Sequence, residues 1–188
     1  MEQEPVVLVA HASWHRPLHY RPLIRDLREK GFIVLVPPLP TAAYDDSVIG
    51  KSVTDDVAHL HEYLIPYLDA GRDGGRPGAD GGGANGRRAP GGGVLNMSLL
   101  DAAGGEWRGT EWYGVKEHTI ELKSPISEDT CYADLPGEVK REAAKYRCSQ
   151  SVSLYVDVIP YASQDVPINK TYLICTQDQT IVPAVQQF

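Results

Sequence analysis

Two unbroken apolar runs open the chain: Val6-Val7-Leu8-Val9-Ala10 after Pro5, and Phe32-Ile33-Val34-Leu35-Val36 after Gly31. Neither alternates with polar residues, which is the pattern of strands covered on both faces in a parallel sheet. Between them, Pro22 to Lys30 sets Leu23, Ile24 and Leu27 against charged positions. Proline suits the first turn of a helix and glycine suits the position past its last. The pattern therefore predicts strand, helix, strand, joined by a crossover. Pro37-Pro38-Leu39-Pro40-Thr41 predicts an extended loop. Val53, Val57, Leu60, Leu64 and Leu68 recur at helical spacing and predict a helix over 52–68, with Ser52 and Asp55 as a capping box. Pro66 is expected to kink or end it. Thr171-Tyr172-Leu173-Ile174-Cys175 predicts a third apolar strand, with Thr176-Gln177-Asp178-Gln179 as the loop at its carboxyl end and a further helix beginning at Val182.

Composition changes abruptly after Leu68. Most of the chain's 18 glycines fall between 71 and 93, where alanine supplies the only apolar side chains. Such a segment buries too little apolar surface to offset its ordering entropy, and the expectation is a disordered loop. It has no G-x-x-x-x-G-K-[ST] pattern and no strand leading into it, so it does not read as a phosphate cradle. Past it, Asp134-Leu135-Pro136 predicts the start of a helix running to about Tyr146. The chain divides into 1–70, the glycine-rich 71–97, a mixed region 98–165, and 166–188. The fold class expected is α/β: a mostly parallel sheet flanked by helices, with a helical cap supplied by 98–165.

Charge and cysteine usage narrow the partners. A formal net charge of −7 argues against nucleic acid and against anionic membranes. The acidic start Met1-Glu2-Gln3-Glu4 is unlike a signal peptide, and no apolar stretch approaches the ~20 residues of a membrane span. Cys131, Cys148 and Cys175 are widely spaced and form no C-x-x-C pair, so they read as free thiols in a reducing, cytoplasmic setting. His11, His15 and His19 stand four apart, but Pro17 interrupts the helix that would align them. No metal site and no cofactor are expected.

Ligands of parallel sheets sit beyond the carboxyl ends of the strands. His11-Ala12-Ser13-Trp14-His15 follows the first apolar run, and Asp178 follows the last. A histidine or hydroxyl near a carboxylate at such an edge suits acid–base or nucleophilic chemistry.

Several motifs carry a resemblance. His11-Ala12-Ser13-Trp14-His15, Tyr20-x-Pro22-Leu23, Gly31 and Val36-Pro37-Pro38-Leu39-Pro40 resemble the opening of the α/β-hydrolases. The likeness is to the branch of plant methylesterases, hydroxynitrile lyases and microbial esterases. Ser98-Leu99-Leu100-Asp101, Tyr132-Ala133-Asp134-Leu135-Pro136 and Tyr172-Leu173-Ile174-Cys175-Thr176-Gln177-Asp178 resemble later segments of that branch. The resemblance implies an oxyanion hole using the backbone N–H of Ala12 or Ser13, and Asp178 as the acid that orients a catalytic histidine. It implies a substrate pocket near His11, Trp14, His15, Trp107 and Trp112. Alanine at position 12, where the lyases carry threonine, favours the esterase side. The ligand implied is a small ester or another small apolar molecule.

The resemblance is incomplete. No G-x-S-x-G occurs in the chain; the glycine-rich 71–97 stands where that nucleophile turn belongs. The family's catalytic histidine would lie beyond Phe188, so Asp178 alone of the triad has a matched position. The expectation is a hydrolase-like protein with little or no esterase activity, or a non-catalytic relative that binds a small molecule or a partner.

Overall fold

The computed structural model describes residues 5–68, 105, 111, 113–159, 169, 171–178 and 180. Strands β1 (Val6–Leu8) and β2 (Ile33–Leu35) pair in parallel with Val7 opposite Val34, as the two apolar runs predict. Helix α1 (Arg21–Glu29) connects them, preceded by a 3-10 turn over Pro17–Tyr20. Gly31, at φ 83°, ends α1. Its N–H donates to Arg28 O at 3.0 Å, and the Phe32 N–H reaches back to Leu27 O at 3.2 Å, which satisfies the last carbonyls of the helix. A Cβ at Gly31 would meet nothing within 4 Å. Gly31→Ala therefore costs only the left-handed backbone, about 1 kcal/mol, and a urea titration should show that loss with the helix intact.

The expected mostly parallel sheet does not form. No further strand joins β1 and β2 among the described residues, and the larger sheet is antiparallel. Its strands are β3 (Ala42–Ala43), β4 (Tyr113–Val115), β5 (Thr119–Leu122) and β6 (Ser149–Ser151), in the order β3-β6-β5-β4. β4 and β5 make a hairpin closed by the Lys116 N–H on Thr119 O at 2.7 Å. The region expected as a helical cap thus supplies three of the four strands of this sheet. Its helices are short: α3 (Ile126–Cys131), α4 (Gly137–Ala144) and α5 (Ser153–Val156). An unbroken apolar run specifies an extended chain that wants covering; it does not specify how many strands will pair with it. β1 and β2 are only half-buried apart from Val34.

The third predicted strand is also corrected. The run from Thr171 to Cys175 is assigned to no strand. Leu173, at its centre, is 82% exposed, so the run lacks the cover that would make its apolar residues interior. Helix α2 (Val53–Leu68) matches its predicted span, and Pro66 sits in its last turn without ending it. Its cap is as expected: the Ser52 N–H and hydroxyl donate to Asp55 Oδ2 at 2.9 and 3.0 Å. The predicted apolar stripe is weakly covered by the described residues, since Val57 and Leu68 are exposed. The glycine-rich 71–97 and the helix expected from Val182 lie outside the described residues.

The centre of the molecule is polar as much as apolar. Val34, Leu39, Ala42, Val48, Tyr113, Ile120 and Tyr132 are buried together with His11, Thr41, Asp56, Gln150 and Ser151. The Thr41 N–H and hydroxyl donate to Asp56 at 3.0 and 2.7 Å. Gln150 Nε2 donates to Thr41 O at 2.8 Å. Burial pushes the Asp56 carboxyl above the usual carboxylate range, against the two hydrogen bonds from Thr41. Buried polar groups persist where they are paired, and this network ties α2 to β3 and β6.

Candidate functional site

The loop after β1 is a turn held in an unusual conformation. The His15 N–H closes on Ala12 O at 3.2 Å, and Trp14, third in the turn, has φ 60°. A turn with a left-handed third residue normally takes glycine there. Here the central peptide is gripped at both ends. The Trp14 N–H donates to Gln150 Oε1 at 3.1 Å, and Ser13 O accepts from His15 Nδ1 at 2.7 Å. The indole is held as well: Nε1 donates to Ile120 O at 3.1 Å, and the ring stacks on Tyr155 with centroids 6.2 Å apart. Tyr113 lies on the indole at 6.3 Å. Strain of this kind survives only where the surroundings over-determine it, and it gathers at functional sites.

Three imidazoles flank this turn, and each has both nitrogens committed. His11 faces Ala12 O with Nδ1 at 3.1 Å and accepts the Leu39 N–H on Nε2 at 2.9 Å. Because His15 Nδ1 carries its proton toward Ser13 O, Nε2 is bare and accepts from the Tyr132 hydroxyl at 3.0 Å. His19 accepts the Arg16 N–H on Nδ1 at 3.1 Å and donates from Nε2 to Ala143 O at 3.0 Å. Burial pushes both His11 and His15 below the ordinary imidazole value.

The residues expected to do chemistry are distributed as follows. The Ala12 N–H donates to the Tyr20 hydroxyl at 2.8 Å, so one expected oxyanion donor is already occupied. The Ser13 N–H makes no hydrogen bond among the described residues. The Ser13 hydroxyl accepts from the Tyr155 hydroxyl at 2.8 Å. Burial pushes both Tyr155 and Tyr132 up to about 12, so the two phenols are neutral at physiological pH. Asp178 Oδ1 accepts the Thr180 N–H at 2.7 Å. It lies beside Cys131 at the end of α3, where its charge adds to burial in raising that thiol. His15 is therefore oriented by Ser13 and Tyr132. Trp107 and Trp112 lie outside the described residues.

Tyr20, Tyr132, Tyr155 and Gln150 complete this site; Tyr20 and Tyr132 stand in motifs of the resemblance, which gave neither a site role, and no local pattern marks Tyr155 or Gln150. Tyr155 reaches Ser13 across 142 positions and Tyr132 reaches His15 across 117. A groove of about 740 Å³ on α1, lined by Arg21, Ile24, Arg25, Arg28 and Val36, includes none of the expected site residues. Among the described residues no group of three His, Cys, Asp or Glu side chains could hold a metal ion. Nor is any helix there long and apolar enough to cross a membrane.

Compared with protein-family models and with curated proteins, the chain matches none.

Proposed function

We propose that the chain holds a small carboxylic ester, or a molecule of that shape, against the Ala12–His15 turn and turns it over little or not at all. The ester class is supported by the resemblance of the opening motifs to the methylesterase and esterase branch. It is supported also by the Ser13 N–H, which makes no hydrogen bond among the described residues and lies next in the chain to Trp14, itself stacked on Tyr155. An N–H of this kind is the donor that a carbonyl oxygen takes.

One observation carries the lack of turnover. The partner of the Ser13 hydroxyl is Tyr155, a neutral phenol that donates to it. A serine becomes a nucleophile when a base within hydrogen-bond reach removes its proton. Among the described residues no imidazole or carboxylate bonds the Ser13 hydroxyl, and the His15 nitrogens are engaged with Ser13 O and Tyr132.

Mixing the protein with p-nitrophenyl acetate should give no burst of p-nitrophenol and a steady rate within about tenfold of buffer. A serine-directed phosphonate should leave the intact mass unchanged. A burst stoichiometric with protein and abolished by the phosphonate would overturn the non-catalytic reading. Calorimetric titration with acetanilide, an amide that mimics phenyl acetate without being cleaved, should give saturable heat. Its absence would remove the ligand assignment.

A further inference from the structure

We propose that His11 is an acid-sensitive latch: a second proton on its ring breaks the bond from the Leu39 N–H and frees the turn at Ala12–His15 from the segment 37–41. The inference stands on hydrogen-bond geometry and holds whether or not the turn binds an ester.

His11 is 5% exposed. Its Nδ1 faces a carbonyl, Ala12 O, and so carries the ring proton; its Nε2 faces a backbone donor, the Leu39 N–H, and so must be bare. A proton added at Nε2 would set two donors face to face across 2.9 Å. The backbone N–H of Leu39 cannot reverse its polarity, so the contact must open.

His15 has a way out that His11 lacks: if it gains a proton on Nε2, the Tyr132 hydroxyl can rotate and accept it. His19 Nδ1 meets the Arg16 N–H, but that contact stays within its own turn and does not reach the segment 37–41. The three rings share one short stretch, and the centroids of His15 and His19 are 4.6 Å apart. Charge on His19 therefore opposes protonation of His11 and of His15.

The charged and titratable groups around the His11 ring reinforce this. Arg16 and His19, from the turn that follows, oppose its protonation, and charge on His11 opposes protonation of His15. Arg147, from the segment before β6, opposes charge on His15. The segment 37–41 presents the Leu39 N–H to the ring. The carboxyl bound to that segment, Asp56 on Thr41, is itself raised by burial and sheds negative charge earlier as the pH falls. Among the described residues no carboxylate pairs with His11.

The folded state holds His11 neutral, with its value lowered from 6.5, so the latch is intact above that pH. As the pH falls below 6.5, the open state takes up a proton that the closed state refuses, and the latch weakens. Leu39 leads directly to Thr41, so opening also loosens the contact of Thr41 with Asp56 and Gln150.

Amide exchange at Leu39, corrected for the intrinsic pH dependence of exchange, tests this. Protection in the wild-type chain should fall about tenfold or more between pH 7 and pH 5, as one proton linked to opening requires. His11→Gln places a carbonyl oxygen near the Nε2 position that takes no proton, and should make protection independent of pH over that range. His15→Gln and His19→Gln should keep the wild-type dependence. Constant protection in the wild-type chain, or an equal fall in His11→Gln, would overturn the latch. Should His11→Gln fail to fold, a proton NMR titration of the wild-type His11 ring decides. A midpoint below 6.5 with loss of the Leu39 contact supports the latch, and a midpoint at or above 6.5 refutes it.

Discussion

Gln150→Leu is expected to destabilise the fold by about 2–3 kcal/mol, the cost of removing both hydrogen bonds of a buried amide and breaking the network it joins. Gln150 is 1% exposed, and its two side-chain ends serve different segments. Oε1 accepts from the Trp14 N–H, and Nε2 donates to Thr41 O. Leucine fills a similar volume but serves neither. Thr41 O keeps a partner in the Ser151 N–H at 2.8 Å. The Trp14 N–H loses its bond to Oε1, and it sits in the one peptide that must be held to keep φ at 60°. The turn that presents Ser13 should relax together with the loss of stability. A urea titration measures the first, and near-ultraviolet circular dichroism of the Trp14–Tyr155 stack reports the second. A change under 1 kcal/mol with an unaltered near-ultraviolet spectrum would show that Gln150 does not hold the turn.

Arg147→Ala should cost about 3 kcal/mol, in the range for removing one partner of a buried, multiply bonded charge. The guanidinium joins three places. Nη1 donates to Ser127 Oγ and Nη2 to Ser124 Oγ, each at 2.5 Å, while Nε donates to Ala144 O at 3.2 Å. Nη2 also lies 3.5 Å from Glu128, and the side chains of this pair are only 10% and 20% exposed. Ser127 is fully buried. Without Arg147 the ends of α3 and α4 lose their common tie, and Glu128 keeps a shielded charge with no counterion from that side. Arg147→Lys should recover only part of the loss, since one ammonium cannot reproduce a planar fork with several donors. Full recovery with lysine, seen as a wild-type urea midpoint, would mean that charge alone matters there.

The sequence showed its local devices and hid its long-range ones. Proline at 22 and glycine at 31 bracket α1 because the constraints are carried by the residues themselves. Ser52 and Asp55 cap α2 for the same reason. The parallel pairing of Val6–Leu8 with Ile33–Leu35 was legible from two apolar runs around one helix. The antiparallel sheet was not. Its strand β6 reads Ser-Gln-Ser, three polar residues that no hydrophobic pattern marks as interior, yet Gln150 and Ser151 are buried. β4 and β5 are too short to display a period of two. The loop at Ala12–His15 was marked by its histidines and its serine. The partners that decide its chemistry were hidden, since Tyr132 and Tyr155 lie 117 and 142 positions further along the chain.

The two ends of the Gln150 amide have a consequence for strand alignment. β6 meets Ala42 on one side and Ile120 on the other through this same residue. A slip by one position would turn the amide to the opposite face and bring up a serine, whose hydroxyl is too short to bridge Trp14 and Thr41 together. Three-residue strands with polar sequences ordinarily slide, but this one has a single setting in which every buried group finds its mate. The glutamine works as an index pin, and the alternative alignments are excluded by what they leave unpaired.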